Sequence, residues 1–314
     1  MLNQKELLWP QDLINQPSCS VLACWQCLAL QSSATSPANA DPFHFSTGNP
    51  DGLIGTASRP ASAGKIETES ADDFILNTST VINQATFAGL LSGSSASISD
   101  IIVEIYRVFP NDSNTARTSG PPTFSTPEVP TRVNSPSDVG LDSRDLATGG
   151  LTFLATLQVN PTATVANSVV DGIHPMPNQT TGGEGPVTGG RGVSVDVTFT
   201  TPFTLPSDHY FFVPQVQVTG GEFLWFSAVR SLVAPGTPFA PDLQSCIRNT
   251  DLDPDWLRIG TDIVGPPPTG GAAPTFNAAF SLDGNTVPEP STLLLLASGL
   301  AAASCVEKKK VLFG

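Results

Sequence analysis

Gly192-Val193-Ser194-Val195-Asp196-Val197-Thr198-Phe199-Thr200 is the stretch that decides the architecture. Val193, Val195, Val197 and Phe199 alternate with Ser194, Asp196, Thr198 and Thr200. A period of two gives an extended strand one buried face and one wet face. Downstream, Tyr210 to Val218 and Phe223 to Val233 read as two more strands, joined at Thr219-Gly220-Gly221-Glu222, a hairpin signal. Upstream, Ile98 to Phe109 carries Ile101, Val103 and Ile105 on one side and Ile102, Tyr106 and Val108 on the other, as a central strand requires. Lys65–Glu69, Ala71–Leu76, Thr80–Phe87, Leu151–Val159, Ala163–Val170, Trp256–Val264 and Phe276–Leu282 bring the strand candidates to about ten. Residues 41–286 show no convincing amphipathic helix. The expected fold class is all-β, an antiparallel β-sandwich.

Long polar segments separate these strands. Asp41 to Gly64 reads as an extended lead-in rich in Gly, Pro, Ser and Asn. Residues 110–150 form a proline-rich insertion and residues 171–191 a second, glycine-rich one. The glycines at 182, 183, 185, 189 and 190 lack the spacing of a phosphate-binding turn between strand and helix.

Charge narrows the partners. The chain has 14 Lys and Arg against 28 Asp and Glu, a net charge of −14, and Lys65 is the lone lysine between residues 41 and 286. Nucleic acid needs clustered cations and is excluded as a partner. Anionic headgroups are disfavoured for the same reason. Such a surface suits a secreted soluble body.

The C-terminal stretch has a different character. Val287-Pro288-Glu289-Pro290 ends the β region, because the two prolines remove backbone donors and turn their neighbours away from helix. An apolar run follows from Leu293 to Val306, with Leu293, Leu294, Leu295, Leu296 and Leu300 making it hydrophobic on every side of a helix. It falls short of the roughly 20 residues that span a bilayer comfortably. Lys308, Lys309 and Lys310 then act as a basic stop. Pro-Glu-Pro, uncharged run and basic cluster in this order closely resemble the PEP-CTERM sorting signal of bacterial surface proteins. The resemblance implies an exosortase as a partner, one C-terminal hydrophobic helix and passage through the membrane, transient or permanent. It covers residues 287–314 alone, and here Glu307 precedes the lysines and Val311 to Gly314 follow them.

Export requires a leader. Val21 to Leu30 is an apolar patch, and Pro37-Ala38-Asn39-Ala40 ends in a small-x-small site, so residues 1–40 read as a signal peptide cut by signal peptidase after Ala40. Its basic end holds only Lys5, which fits a start codon upstream of the true leader; a disordered cytosolic N-terminus is the alternative. Cys19, Cys24 and Cys27 fall in this segment and Cys305 in the tail, leaving Cys246 alone in the body without an internal disulfide partner.

Ala71-Asp72-Asp73-Phe74, Ile82, Phe87 and Val103-Glu104-Ile105-Tyr106 resemble an ADDF-type β-module found in secreted proteins with this tail. Leu205-Pro206-Ser207-Asp208-His209-Tyr210 resembles a later strand of the same module. The likeness implies a jelly-roll-like sandwich and carries no active residues.

Catalytic groupings are absent from the sequence. His44, His174 and His209 are scattered, without a Gly-x-Ser-x-Gly elbow or a paired-histidine zinc motif. Asp251, Asp253 and Asp255 form a candidate calcium set, since alternate carboxylates offer oxygens to a hard cation; the other reading is a solvated acidic turn. No other cofactor is implied. Trp225 and Trp256 are candidates for a sugar-stacking platform, the alternative being core. The leading expectation is an exported, non-enzymatic cell-surface or matrix protein. A carbohydrate-binding module that takes extracellular polysaccharide comes second, and a secreted hydrolase third.

Overall fold

The computed structural model describes residues 40–62, 64–117, 133–158, 162–173, 180–228 and 243–288. In chain order its strands are β1 (Pro42–Ser46), β2 (Pro50–Ala57), β3 (Thr68–Leu76), β4 (Thr80–Ser92), β5 (Ser97–Arg107), β6 (Asp142–Asp145), β7 (Leu151–Leu157), β8 (Ala163–Val165), β9 (Asn167–Val169), β10 (Val187–Leu205), β11 (Asp208–Thr219), β12 (Glu222–Ala228), β13 (Cys246–Asn249), β14 (Leu257–Arg258) and β15 (Phe280–Thr286). They make two sheets. One runs β14-β13-β3-β11-β5-β6. The other runs β1-β15-β4-β12-β2-β9, with β10 along the second edge of β4 and β7 and β8 beyond β10. Every pairing is antiparallel except β2 with β9. The all-β, sandwich-like architecture is as the alternation required.

Side-chain periodicity explains what is buried. In β10, Val193, Val195, Val197 and Phe199 face the core while Asp196, Thr198 and Thr200 are exposed. The core between the sheets gathers Phe74, Phe87, Phe203, Tyr210, Phe212, Phe223, Trp225 and Phe280. Phe212 and Phe280 stack across the two sheets with centroids 5.0 Å apart, and each such side chain contributes about 1.5–3 kcal/mol on burial. β11 breaks the alternation, being buried on both faces from His209 to Val216. Its inner face meets the other sheet. Phe211 and Val213 on its outer face are covered by Leu243 and Trp256.

Several local expectations change. Asp41 to Gly64 holds β1 and β2 rather than a loose lead-in, and the 110–150 insertion contains β6. Trp256–Val264 is not a strand: after Leu257–Arg258 the chain winds into a π-helical segment, Ile259–Val264. Asp262 fixes this bend by accepting bonds from Arg258 N at 2.7 Å and from its guanidinium at 2.7 and 2.9 Å. Thr219–Glu222 is not a hairpin either, since β11 and β12 lie in different sheets. The two glycines let the chain arch across the gap. Gly220 has φ +73°, and a Cβ on Gly221 would lie 1.9 Å from the carbonyl oxygen of Ser92. The N-terminal 39 residues, with the expected leader, lie outside the described residues, as do residues 289–314.

Candidate functional site

The tail leaves the sandwich from a defined point. β15 lies between β1 and β4, with Asn285 opposite Pro42 on one side and Val81 on the other. Thr286 N–H donates to the Asp41 carbonyl at 2.8 Å, and Val287 N–H to that of Ser79 at 2.7 Å. Pro288 has no N–H with which to extend the ladder. Among the described residues Val287 thus makes the last backbone bond to the body, next to the start of the Pro-Glu-Pro motif. Glu289, Pro290, the apolar run from Leu293 to Val306 and Lys308–Lys310 lie outside the described residues. Among the described residues no helix is long and apolar enough to cross a membrane.

A second constellation was not foreseen. The two adjacent aspartates of Ala71-Asp72-Asp73-Phe74 point to opposite faces of β3, as strand alternation demands. Asp72 is wholly buried and accepts from Ser245 Oγ at 2.9 Å and Ala278 N at 3.0 Å, tying β3 to the segments that lead into β13 and β15. Asp73 accepts from Leu243 N at 3.1 Å and lies 2.6 Å from His209 Nε2.

Farther along the outer face of the six-stranded sheet, Glu69, Glu104, Tyr106, Gln215 and Arg248 form a buried ionic network. Arg248 contacts Glu69 through Nε, donates to Tyr106 Oη at 2.7 Å and pairs with Asp253 at 2.9 Å. Its guanidinium lies over the Trp256 ring, 4.5 Å from the centroid. Tyr106 Oη is 3.1 Å from Glu69 Oε1 and 3.1 Å from Glu104 Oε2, while Gln215 Nε2 is 3.3 Å from each of the same two oxygens. Two carboxyl groups thus share one hydroxyl and one amide. Burial, then the hydrogen bond and charge of Glu69, push the Glu104 carboxyl up to about 8. Burial and Glu69 also raise Glu67. Burial opposes the charge of Arg248, but Glu69 outweighs it and holds the guanidinium protonated. The network can hold a proton at neutral pH. Trp256 and the loop carrying Ser137 cover it, with Trp256 Nε1 donating to the Ser137 carbonyl at 3.1 Å.

The residues singled out as ligands go elsewhere. Asp251 is exposed, Asp253 pairs with Arg248 and Asp255 pairs with Arg117 at 2.6 Å. Two of the three carboxylates are thus counter-ions to separate guanidinium groups, and among the described residues no three His, Cys, Asp or Glu side chains converge on a point. Trp225 and Trp256 are 0% and 2% exposed, so neither indole presents a face to a sugar. Trp225 Nε1 instead donates to the Ala279 carbonyl at 3.0 Å. His44 is paired with Asp283 on the surface and His209 with Asp73 in the interior, and neither is bonded to a hydroxyl or thiol among the described residues; His174 lies outside them.

Two adjoining grooves of about 620 and 430 Å³ share Asn167, Val264 and Pro274. Two of their polar side chains, Asn167 and Thr181, are bonded to the chain itself. Asn167 donates to Gly182 O and accepts from Ser168 N and Gly185 N, and Thr181 Oγ1 donates to Gly172 O.

Residues 286–309 match the family model of the PEP-CTERM protein-sorting motif. The chain carries a PEP-CTERM sorting motif at its C-terminal end. The match begins at Thr286, the last residue of β15, where the sandwich ends. The motif marks an exported protein processed by an exosortase. It concerns the tail and leaves the body unassigned. No curated protein and no solved structure matches the chain.

Proposed function

We propose that this PEP-CTERM protein is a non-enzymatic component of the cell surface or extracellular matrix, in which the β-sandwich is the delivered body and the tail the address. The observation that carries this reading is the coincidence of the motif with the end of the fold. Among the described residues Val287 is the last one hydrogen-bonded to the body, and the matched residues run from 286 to 309. An exosortase could act at Pro288–Pro290 without opening the sandwich. Signal peptidase at Ala40 and brief residence of Leu293–Val306 in the bilayer complete the route. The body supports a structural role: the aspartates of Ala71-Asp72-Asp73-Phe74 are used to hold strands together, and Trp225 and Trp256 are buried.

Cell fractionation with intact-mass measurement tests the proposal. The expected product is a surface- or matrix-associated protein lacking residues 1–40 and the apolar run. Retention of Leu293–Gly314 in the mature product, or accumulation in the cytosol, overturns it. Retention of the mature protein on extracellular polysaccharide would move the reading to a lectin.

A further inference from the structure

We infer that β7 is a homotypic docking edge, through which two copies of this chain join their larger sheets across a two-fold axis at Leu154. β7 pairs with β10 alone. Gln158 N–H donates to Gly192 O, and Thr200 N–H donates to Gly150 O, so the even-numbered residues spend their backbone groups on β10. By the two-residue period of an antiparallel ladder, Leu151, Phe153, Ala155 and Leu157 turn their N–H and C=O groups to the open edge. Among the described residues nothing is hydrogen-bonded there. The edge also lacks the usual deterrents to pairing. No charged residue or bulge interrupts Leu151–Leu157, and none of the residues between Asp145 and Asp171 is charged. Other edges are protected: β6 reads Asp-Ser-Arg-Asp, β1 starts with Pro42 and carries His44, and β9 and β14 are three and two residues long.

The occupant is written in the strand. Leu151-Thr152-Phe153-Leu154-Ala155-Thr156-Leu157 is palindromic except for Phe153 and Ala155. Antiparallel pairing of two copies centred on Leu154 sets Leu151 against Leu157, Thr152 against Thr156 and the large Phe153 against the small Ala155. Leu154, 65% exposed, meets its own counterpart. In this register the outward groups at 151, 153, 155 and 157 become hydrogen-bonded pairs, while Thr152, Leu154 and Thr156 become the closer, non-bonded pairs whose side chains touch. A net charge of −14 sets one copy against another over most of the surface, and this charge-free edge is where two can meet.

The test uses the full chain in mild detergent. Under air oxidation, Leu154→Cys gives a disulfide-linked dimer well above the wild-type background of native cysteines, whereas Thr152→Cys, which faces Thr156, does not. Ala155→Pro removes an edge-facing N–H and spares the β10 ladder. It lowers the dimer fraction in sedimentation at about 100 µM by at least about tenfold with an unchanged melting temperature. Leu154→Lys, which sets two like charges on the axis, does the same and serves if the proline variant fails to fold. Cross-linking of both thiol variants or of neither, a monomeric wild type at that concentration, or a dimer that survives Leu154→Lys overturns the inference.

Discussion

Asp41 and Thr286 are joined in both directions: Thr286 N donates to the Asp41 carbonyl at 2.8 Å and Asp41 N donates to Thr286 Oγ1 at 3.1 Å. The two ends of the body thus lie side by side, the first beside Ala40 and the second beside Pro288. A leader cut after Ala40 and a tail cut near Pro290 would both leave this clasp intact.

That arrangement separates sorting from folding. Replacing Pro288 and Pro290 by alanine should leave the melting temperature of the protein unchanged, since among the described residues the last body hydrogen bond is made by Val287. The same change should block processing, so that the apolar run stays in the product. Intact mass and thermal unfolding read the two effects independently.

Stability should fall with rising pH in a window set by Glu104. In the unfolded chain its carboxyl titrates near 4.5 and in the folded one near 8. Between these values the native state holds a proton that the unfolded state has lost, so the stabilisation is complete below pH 4.5 and is lost as pH climbs through about 8. Glu104→Gln keeps the neutral form at every pH. It should match the wild type near pH 5 and exceed it by about 1–3 kcal/mol near pH 9, read as a difference of a few degrees in Tm. A difference that does not vary with pH would refute this assignment.

Asp72 is a wholly buried carboxylate with two bonds to neighbouring segments. Its removal leaves Ser245 Oγ without this acceptor and the Ala278 N–H unpaired in the interior. Asp72→Ala should lower stability by about 2–4 kcal/mol in urea titration. Asp72→Asn should lose roughly half as much, because the amide offers one acceptor where two are used.

Trp225 should behave as core. Trp225→Ala is expected to lose about 3–5 kcal/mol, through its contacts with Phe212 and Phe280 at 6.1 and 5.8 Å and its bond to Ala279. Polysaccharide retention should not respond to the milder Trp225→Phe. Loss of sugar binding in that variant with stability preserved would contradict the buried placement.

Much of the architecture was legible because strand alternation is local. Val193 to Thr200 settles which face of β10 is buried, and Pro288-Glu289-Pro290 with its apolar run and lysines gives the destination without reference to the fold. Properties that depend on distant partners were not legible. A double glycine signals a sharp turn, but whether the chain returns along the same sheet or arches to the other is decided by what β12 finds to pair with, here β2 and β4. Alternate aspartates look the same in a cation site and in a set of counter-ions until the fold turns the nearby Arg248 onto Asp253 and brings Arg117 from far along the chain to Asp255. Glu104 carried a faint signal, a charge between Val103 and Ile105. Its raised pKa follows from burial first and then from Glu69, which folding brings to the same donors, and both are properties of three-dimensional placement. The sequence alone determined the alternating strands such as β10 and the address. Tertiary structure decided which polar residues became structural, since desolvation and pairing act only once those distances are set.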